Sequence, residues 1–181
     1  MNDNAKKDAP ATPTPQTLPE FMAQALAMER EAVDRYTEFA DALKMHNNHE
    51  VAALFRTMAG YETKHAERIM AEMGWTEAPA VPAHVLRAPG MDDPETAPFD
   101  EVHYLMQPWH ALQLALAAEK RAEAFFAVLA RLATNEPVRR AALELQAEET
   151  EHVALVQQWI AKVPPPDPDW ANDPDPPRYT D

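Results

Sequence analysis

The sequence YETKH at residues 61–65 decides how the chain is interpreted, because EETEH at residues 148–152 nearly repeats it. Each stretch places a Glu and a His three positions apart, which sets both side chains on one face of an α-helix. Each pair lies on an apolar helical stripe, where a carboxylate needs a compensating charge. The sequence therefore predicts a metal site built on four residues: Glu62, His65, Glu149 and His152.

Composition excludes several kinds of chemistry. The chain has 181 residues, enough for one domain with a substantial core, and it has no cysteine. Disulfides, iron–sulfur clusters and thiolate zinc sites are therefore excluded. The net charge of −14 argues against nucleic-acid binding. No apolar run is long enough to span a membrane and the N-terminus has no signal-peptide core, so we expect a cytoplasmic protein.

Four helices are expected from the apolar periodicity and from residues that begin or end helices. Thr17 and Glu20 form a capping box, and Gly74 is a typical residue after a helix end. Asn48 and Asn135 are candidate N-caps. The four expected helices cover residues 17–45, 48–73, 108–133 and 135–163.

The remaining segments are rich in proline and polar residues. Residues 1–16 and the Pro/Asp-rich tail at 164–181 are expected to lack a fixed fold. Residues 75–107 form a connection long enough to travel the length of a helix pair. The predicted domain is therefore residues 17–163, with 75–107 as a crossover.

The two halves of the predicted domain repeat each other. Residues 27–40 match residues 117–130 at a constant offset, and each segment carries one inward carboxylate, Glu29 or Glu119. Each half is thus a helix with one Glu, followed by a helix with a Glu and His pair. This pattern predicts an all-α four-helix bundle of two antiparallel hairpins, with the ligand set of di-iron and di-manganese bundles.

Two metal ions would make this set of buried charges tolerable. Four carboxylates carry about four negative charges, which two divalent ions neutralise. Oxygen and imidazole ligands suit iron, manganese or zinc. Geometry predicts that Glu62 and Glu149 bridge the ions. The other four ligands would each bind one ion: Glu29, Glu119, His65 and His152.

These motifs resemble the rubrerythrin and bacterioferritin branch of the ferritin-like superfamily, over residues 18–74 and 108–162. The resemblance places Tyr36 next to the metal ligands as a catalytic residue, and it gives Glu148 the role of orienting His65. Ala122 stands where rubrerythrins have an additional carboxylate. The chain also lacks the cysteine-bound iron that serves rubrerythrins as an electron relay.

The resemblance implies an oxidoreductase that reacts two bound Fe(II) ions with hydrogen peroxide or dioxygen. An electron donor that the sequence does not identify would serve it. Three alternatives remain open: ferroxidase-type iron uptake, a manganese catalase, and a structural bundle that holds zinc or no metal. The large bundle surface leads us to expect a homodimer.

Two further features have simpler interpretations. Five histidines lie outside the repeat and are interpreted as surface or loop residues: His46, His49, His84, His103 and His110. Gly60 lies inside the second helix, where glycine costs about 1 kcal/mol relative to alanine. Close packing against a neighbouring helix is the favoured explanation for Gly60.

Overall fold

The computed structural model describes residues 15–81 and 102–173. Within these residues the chain forms four α-helices and no strand, which confirms the all-α prediction. The helices are α1 (Leu18–Met45), α2 (His49–Met73), α3 (Pro108–Leu132) and α4 (Glu136–Ile160). None of these described helices has the apolar length needed to cross a membrane.

Helix ends are set by the residues that the sequence singled out. The Thr17 hydroxyl accepts a hydrogen bond from the Glu20 amide at 3.3 Å, and the Glu20 carboxylate accepts one from the Thr17 amide at 3.1 Å. The Asn48 side chain accepts from the Val51 amide and begins α2. Gly74 ends α2 with a φ of 64°, a left-handed conformation that glycine adopts without strain.

Asn135 is the N-cap residue of α4, as predicted, but its side chain makes no capping hydrogen bond to the helix. Its side-chain amide instead donates a hydrogen bond of 3.1 Å to the Gln16 carbonyl, just before α1. This bond holds the start of α4 against the start of α1. Asn135 therefore stands at the N-cap position of α4, and its side chain links the two hairpins.

The helices pack as two antiparallel hairpins, α1 with α2 and α3 with α4. The start of α1 meets the end of α3, where Phe21 and Phe126 contact edge to face at 6.2 Å. The Asn48 side chain donates to the carbonyl oxygens of Tyr104 (3.2 Å) and Met106 (2.7 Å). Helix α2 is about 38 Å long. The connection that follows it must therefore run back along this length to reach the start of α2. Residues 82–101 of this crossover lie outside the described residues.

Buried side chains form two clusters, one toward each end of the bundle. The first cluster contains Phe21 and Phe126, and the second contains Tyr36, Phe39 and Phe55. In the second cluster the rings of Tyr36 and Phe55 stack at 5.9 Å. Each helix carries one buried carboxylate, at a position between the residues that it contributes to the first cluster and those that it contributes to the second. These carboxylates belong to Glu29, Glu62, Glu119 and Glu149.

The tail is partly ordered, so the expectation that it lacks a fixed fold is wrong for residues 164–173. The Trp170 ring packs on His110 and His103, with ring centroids 4.0 and 5.3 Å apart. The Tyr104 hydroxyl donates a hydrogen bond of 2.6 Å to Asp173. These contacts cover the end of the bundle where the crossover joins α3. Residues 1–14 and 174–181, which carry the rest of the terminal predictions, lie outside the described residues.

Gly60 does not serve close packing, because a Cβ built there meets no atom within 4 Å. We therefore expect Gly60→Ala to raise the free energy of unfolding by about 0.5–1 kcal/mol, since alanine restricts the unfolded chain. Urea denaturation would measure this. Gly74→Ala is the matched control and should be destabilising, because Gly74 has a positive φ. A destabilised Gly60→Ala would show that Gly60 has a role which open space does not explain.

Candidate metal centre

The fold brings together all six residues predicted as metal ligands. They form two clusters, in each of which one donor atom from every residue lies within 4.8 Å of the others. Each of the four carboxylate residues is at most 6% exposed. The clusters are Glu29 with Glu62 and His65, and Glu119 with Glu149 and His152.

The first cluster is built by the first hairpin. Glu29 comes from α1, and Glu62 and His65 lie one turn apart on α2. His65 Nδ1 lies 3.6 Å from Oε2 of Glu29 and 3.6 Å from Oε2 of Glu62. The imidazole nitrogen and both carboxylates therefore face one point.

The second cluster repeats this arrangement in the second hairpin. Glu119 comes from α3, and Glu149 and His152 come from α4. His152 Nδ1 lies 3.4 Å from Oε2 of Glu119 and 3.2 Å from Oε2 of Glu149. The sequence repeat is thus a repeat of donor geometry.

The two clusters are close enough to influence each other. The His65 and His152 rings stack with centroids 4.5 Å apart and planes within 4°. Burial raises the pKa of Glu29 well above its ordinary value, and the negative charges of Glu62, Glu149 and Glu119 raise it further. The six side chains therefore form one centre rather than two independent sites.

Without a bound cation, His152 neutralises only part of the negative charge of Glu119 and Glu149. Burial raises the pKa of Glu149 to about 7; the hydrogen bond from His152 lowers it, and the charge of Glu119 raises it. Burial lowers the pKa of His152, but hydrogen bonds to Glu119 and Glu149 outweigh this and raise it to about 11. One protonated imidazole thus faces two carboxylates, and the remaining negative charge favours a bound cation.

A cavity of about 30 Å³ adjoins the four carboxylates. This volume holds about two water-sized groups. Its other walls are mostly apolar, with Ala32, Leu114 and Phe126 among them, and Tyr36 and Arg35 also line it. Neither ligand histidine is among the described residues of this wall. The cavity can admit a molecule of two or three heavy atoms to the carboxylate side of the centre.

Comparison with known proteins agrees with this geometry. A sequence model of the rubrerythrin family matches residues 20–86. The crystal structure of an uncharacterized conserved protein from Magnetospirillum magnetotacticum MS-1 is 37% identical to this chain, with a TM-score of 0.63. The match covers 83% of this chain and 98% of that one.

This chain belongs to the rubrerythrin family. The resemblance inferred from the motifs is therefore confirmed. Comparison with curated proteins gave no match.

The donor set of this rubrerythrin-family protein fits a pair of metal ions. Four carboxylates and two imidazoles are the ligands that iron, manganese and zinc accept. Donors bound to one such ion at about 2.0–2.2 Å lie at most about 4.4 Å apart. The separations of 3.2–3.6 Å between each histidine nitrogen and its two carboxylate oxygens lie within this limit.

The rubrerythrin resemblance was wrong about Glu148. Its carboxylate binds the Arg68 guanidinium instead of His65: Arg68 Nη1 donates to Oε1 at 2.8 Å, and Nη2 donates to Oε2. The planar fork of arginine matches a carboxylate better than one imidazole nitrogen does. This pair joins α2 to α4 beside the ligand histidines. Arg68 follows His65 by three residues, so helical spacing could have indicated it.

Three residues of the cavity wall bear on the sequence predictions for this rubrerythrin-family site. Tyr36, the expected catalytic residue, is buried at 4% exposure and lines the cavity. Arg35 was not predicted, and its position beside Tyr36 in the sequence is the only signal that could have indicated it. Ala122 also lies on the wall, at the place where rubrerythrins were expected to have another carboxylate. A small side chain there leaves the cavity open.

Proposed function

We propose that this protein is a di-iron oxidoreductase that reacts two bound Fe(II) ions with hydrogen peroxide or dioxygen. The observation that carries this proposal is the convergence of four buried carboxylates and two imidazoles beside a cavity of two-atom size. A small, mostly apolar cavity of about 30 Å³ has room for small oxidants but little room for an organic substrate. When bound, the two iron ions would supply the electrons that break the O–O bond.

The chain's own residues hold and surround the metal pair. One ion would be held by Glu29, Glu62 and His65, and the other by Glu119, Glu149 and His152. Glu62 and Glu149 are the carboxylates that would be shared between the two ions. The Arg68–Glu148 ion pair, which joins the two helices that carry the histidines, would keep the ligand helices in register.

Anaerobic titration of the metal-free protein with Fe(II) tests this function. We expect saturation at two irons per chain. Hydrogen peroxide takes up two electrons and two protons to give two water molecules. One equivalent should therefore oxidise both irons, which stopped-flow absorbance would follow. Saturation at one iron, or no oxidation by peroxide and dioxygen, would contradict the proposal.

Iron uptake is a second candidate, and one observation favours it. The chain has no cysteine that could relay electrons back to the centre. A ferroxidase would oxidise Fe(II) and release it, so it needs no returning electrons. The same titration separates the two functions, because a ferroxidase oxidises many more than two irons per chain under continued Fe(II) supply.

Tyr36 is proposed to provide a proton or hydrogen bond to the oxidant in the cavity. We expect Tyr36→Phe to keep both irons but to slow oxidation by peroxide at least about tenfold, since positioned proton donors contribute 10²–10⁴-fold. Stopped-flow absorbance of the Fe(II)-loaded variant measures the rate. Tyr104→Phe is the control, because its hydroxyl binds Asp173 at the end of the bundle. Equal rates in both variants would remove Tyr36 from the mechanism.

A further inference from the structure

We propose that the Arg68–Glu148 ion pair is a gate on the route by which metal ions enter and leave the centre, past His65 and His152. The inference rests on the two-metal site of the proposed function, but it does not depend on the reaction with an oxidant. It assigns divalent cations a route that is separate from the cavity, which adjoins the four carboxylates.

Three pairs of side chains bridge α2 and α4, whose α-carbons stay more than 8 Å apart. Each pair joins one residue of α2 to one residue of α4, in the order aromatic, imidazole and ionic. The pairs are Tyr61 with Trp159, His65 with His152, and Arg68 with Glu148. We call these six residues the histidine face. Because side chains rather than backbones close it, side-chain movement alone can open it.

The histidines are the most exposed of the six predicted metal ligands. The side chain of His65 is 16% exposed and that of His152 is 20% exposed. The side chains of the four ligand carboxylates are at most 7% exposed. The most exposed approach to the donor atoms therefore runs past the two imidazole rings.

The two ends of the histidine face differ in how tightly they are closed. Behind Tyr61 and Trp159 only about 10 Å³ of space remains, which holds at most one water molecule. The Arg68 and Glu148 side chains are 39% and 32% exposed, and they border a hollow of about 230 Å³. The ion pair therefore closes the end of the face that solvent reaches.

The hollow can attract a cation and can receive a displaced guanidinium. The charged residues that line it are three carboxylates and two guanidiniums: Glu72, Glu144, Glu148, Arg68 and Arg140. Glu72 lies 3.7 Å from Arg68 Nε. Arg68 can therefore turn toward Glu72 and stay paired with a carboxylate while the histidine face opens. This movement leaves Glu148 available to an incoming cation.

A simpler explanation is that the ion pair only holds α2 and α4 together, and that metal reaches the centre through the cavity. Loss of a purely structural pair would loosen the site, so that metal leaves faster but does not bind faster. Loss of a gate lowers the barrier in both directions. The rates of loading and release then rise by similar factors, and the dissociation constant changes little.

Zinc exchange with the full chain tests the gate, since Zn(II) accepts the same donors and has no redox chemistry. Stopped-flow absorbance of a chromophoric chelator measures both loading and release. We expect the double variant Arg68→Gln with Glu148→Gln, which keeps the net charge, to accelerate both rates at least about fivefold. The reason is that the charge-assisted hydrogen bonds closing the face are lost. The dissociation constant should stay within about threefold of wild type.

Arg68→Lys is a milder variant that keeps the positive charge but loses the planar fork. Its two rates should lie between those of wild type and of the double variant. Arg56→Gln with Asp41→Asn is the matched control, because it breaks an exposed ion pair between α1 and α2. It should leave both rates within about twofold. Ala122→Val fills the cavity and should also leave both rates within about twofold.

Three results would overturn the inference. The first is loading and release within twofold of wild type in both the double variant and Arg68→Lys. The second is faster release without faster loading, which a structural role predicts. The third is slower exchange in Ala122→Val, which would place the route in the cavity.

The zinc measurement distinguishes failure of this inference from failure of the proposed function. If wild type binds two zinc ions but its iron form reacts with neither peroxide nor dioxygen, only the oxidoreductase function fails. If wild type binds two zinc ions and exchange does not depend on the ion pair, only the gate fails. If wild type binds no zinc at the six ligands, the gate fails together with the centre.

Discussion

Glu29→Gln should lower metal affinity and, at the same time, make the metal-free protein more stable at pH 8. Glu29 is 5% exposed, and burial together with the charges of Glu62, Glu149 and Glu119 raises its pKa. A neutral residue of the same shape removes this repulsion. We expect the free energy of unfolding without metal to rise by roughly 1–3 kcal/mol. Metal affinity should fall at least about 100-fold, since losing an outer partner of a ligand alone costs 10–100-fold.

Two measurements check these opposite changes. Urea denaturation with a chelator gives the stability of the metal-free protein, and competition with a metal indicator gives the affinity. Glu38→Gln is the control, because Glu38 is exposed on the same helix. It should change stability by less than about 0.5 kcal/mol. Two results would show that Glu29 is not a crowded metal ligand: a Glu29→Gln protein that is less stable than wild type without metal, or one whose metal affinity equals that of wild type.

The metal-free protein should lose stability as the pH rises from 5 to 9. The pKa of Glu149 is raised from 4.5 to about 7 in the folded state. This shift adds roughly 3 kcal/mol to the free energy of unfolding below pH 4.5, and the added stability is lost as the pH rises through 7. The pKa of His152 is raised from 6.5 to about 11, so its contribution is lost between those values. Both groups therefore act in the same direction.

Thermal or urea unfolding at pH 5, 7 and 9 would measure this dependence. Bound metal should reverse it between pH 5 and 8, because the ligands must be deprotonated carboxylates and neutral imidazoles. The metal-loaded protein should then be more stable at pH 8 than at pH 5. Metal-free stability that is constant or increasing from pH 5 to 9 would show that the carboxylates are not crowded in the folded state.

The sequence was sufficient to predict the helices and to select the six clustered residues, for a simple reason. Helical spacing alone puts Glu62 and His65 on one face, and the repeat in the second hairpin makes a chance occurrence improbable. Proline and glycine then mark the ends of the helices, as Pro108 and Gly74 do. These signals are local, so they can be interpreted without knowledge of how the helices pack.

Contacts between distant segments could not be predicted in the same way. Arg68 selects Glu148 because α2 and α4 face each other at the centre, and Asn135 reaches Gln16 because two helix ends are adjacent. The composition of the tail indicated disorder, but Trp170 and Asp173 contact the bundle and hold residues 164–173 against it. Arg35 lines the cavity, and no local sequence pattern indicates that position.

The most direct test of the account is anomalous X-ray scattering at the iron edge from crystals loaded anaerobically with Fe(II). We expect two peaks per chain, one among Glu29, Glu62 and His65, and one among Glu119, Glu149 and His152. Peaks elsewhere on the surface, or no peak between the four buried carboxylates, would contradict the claim that these side chains exist together because they bind metal.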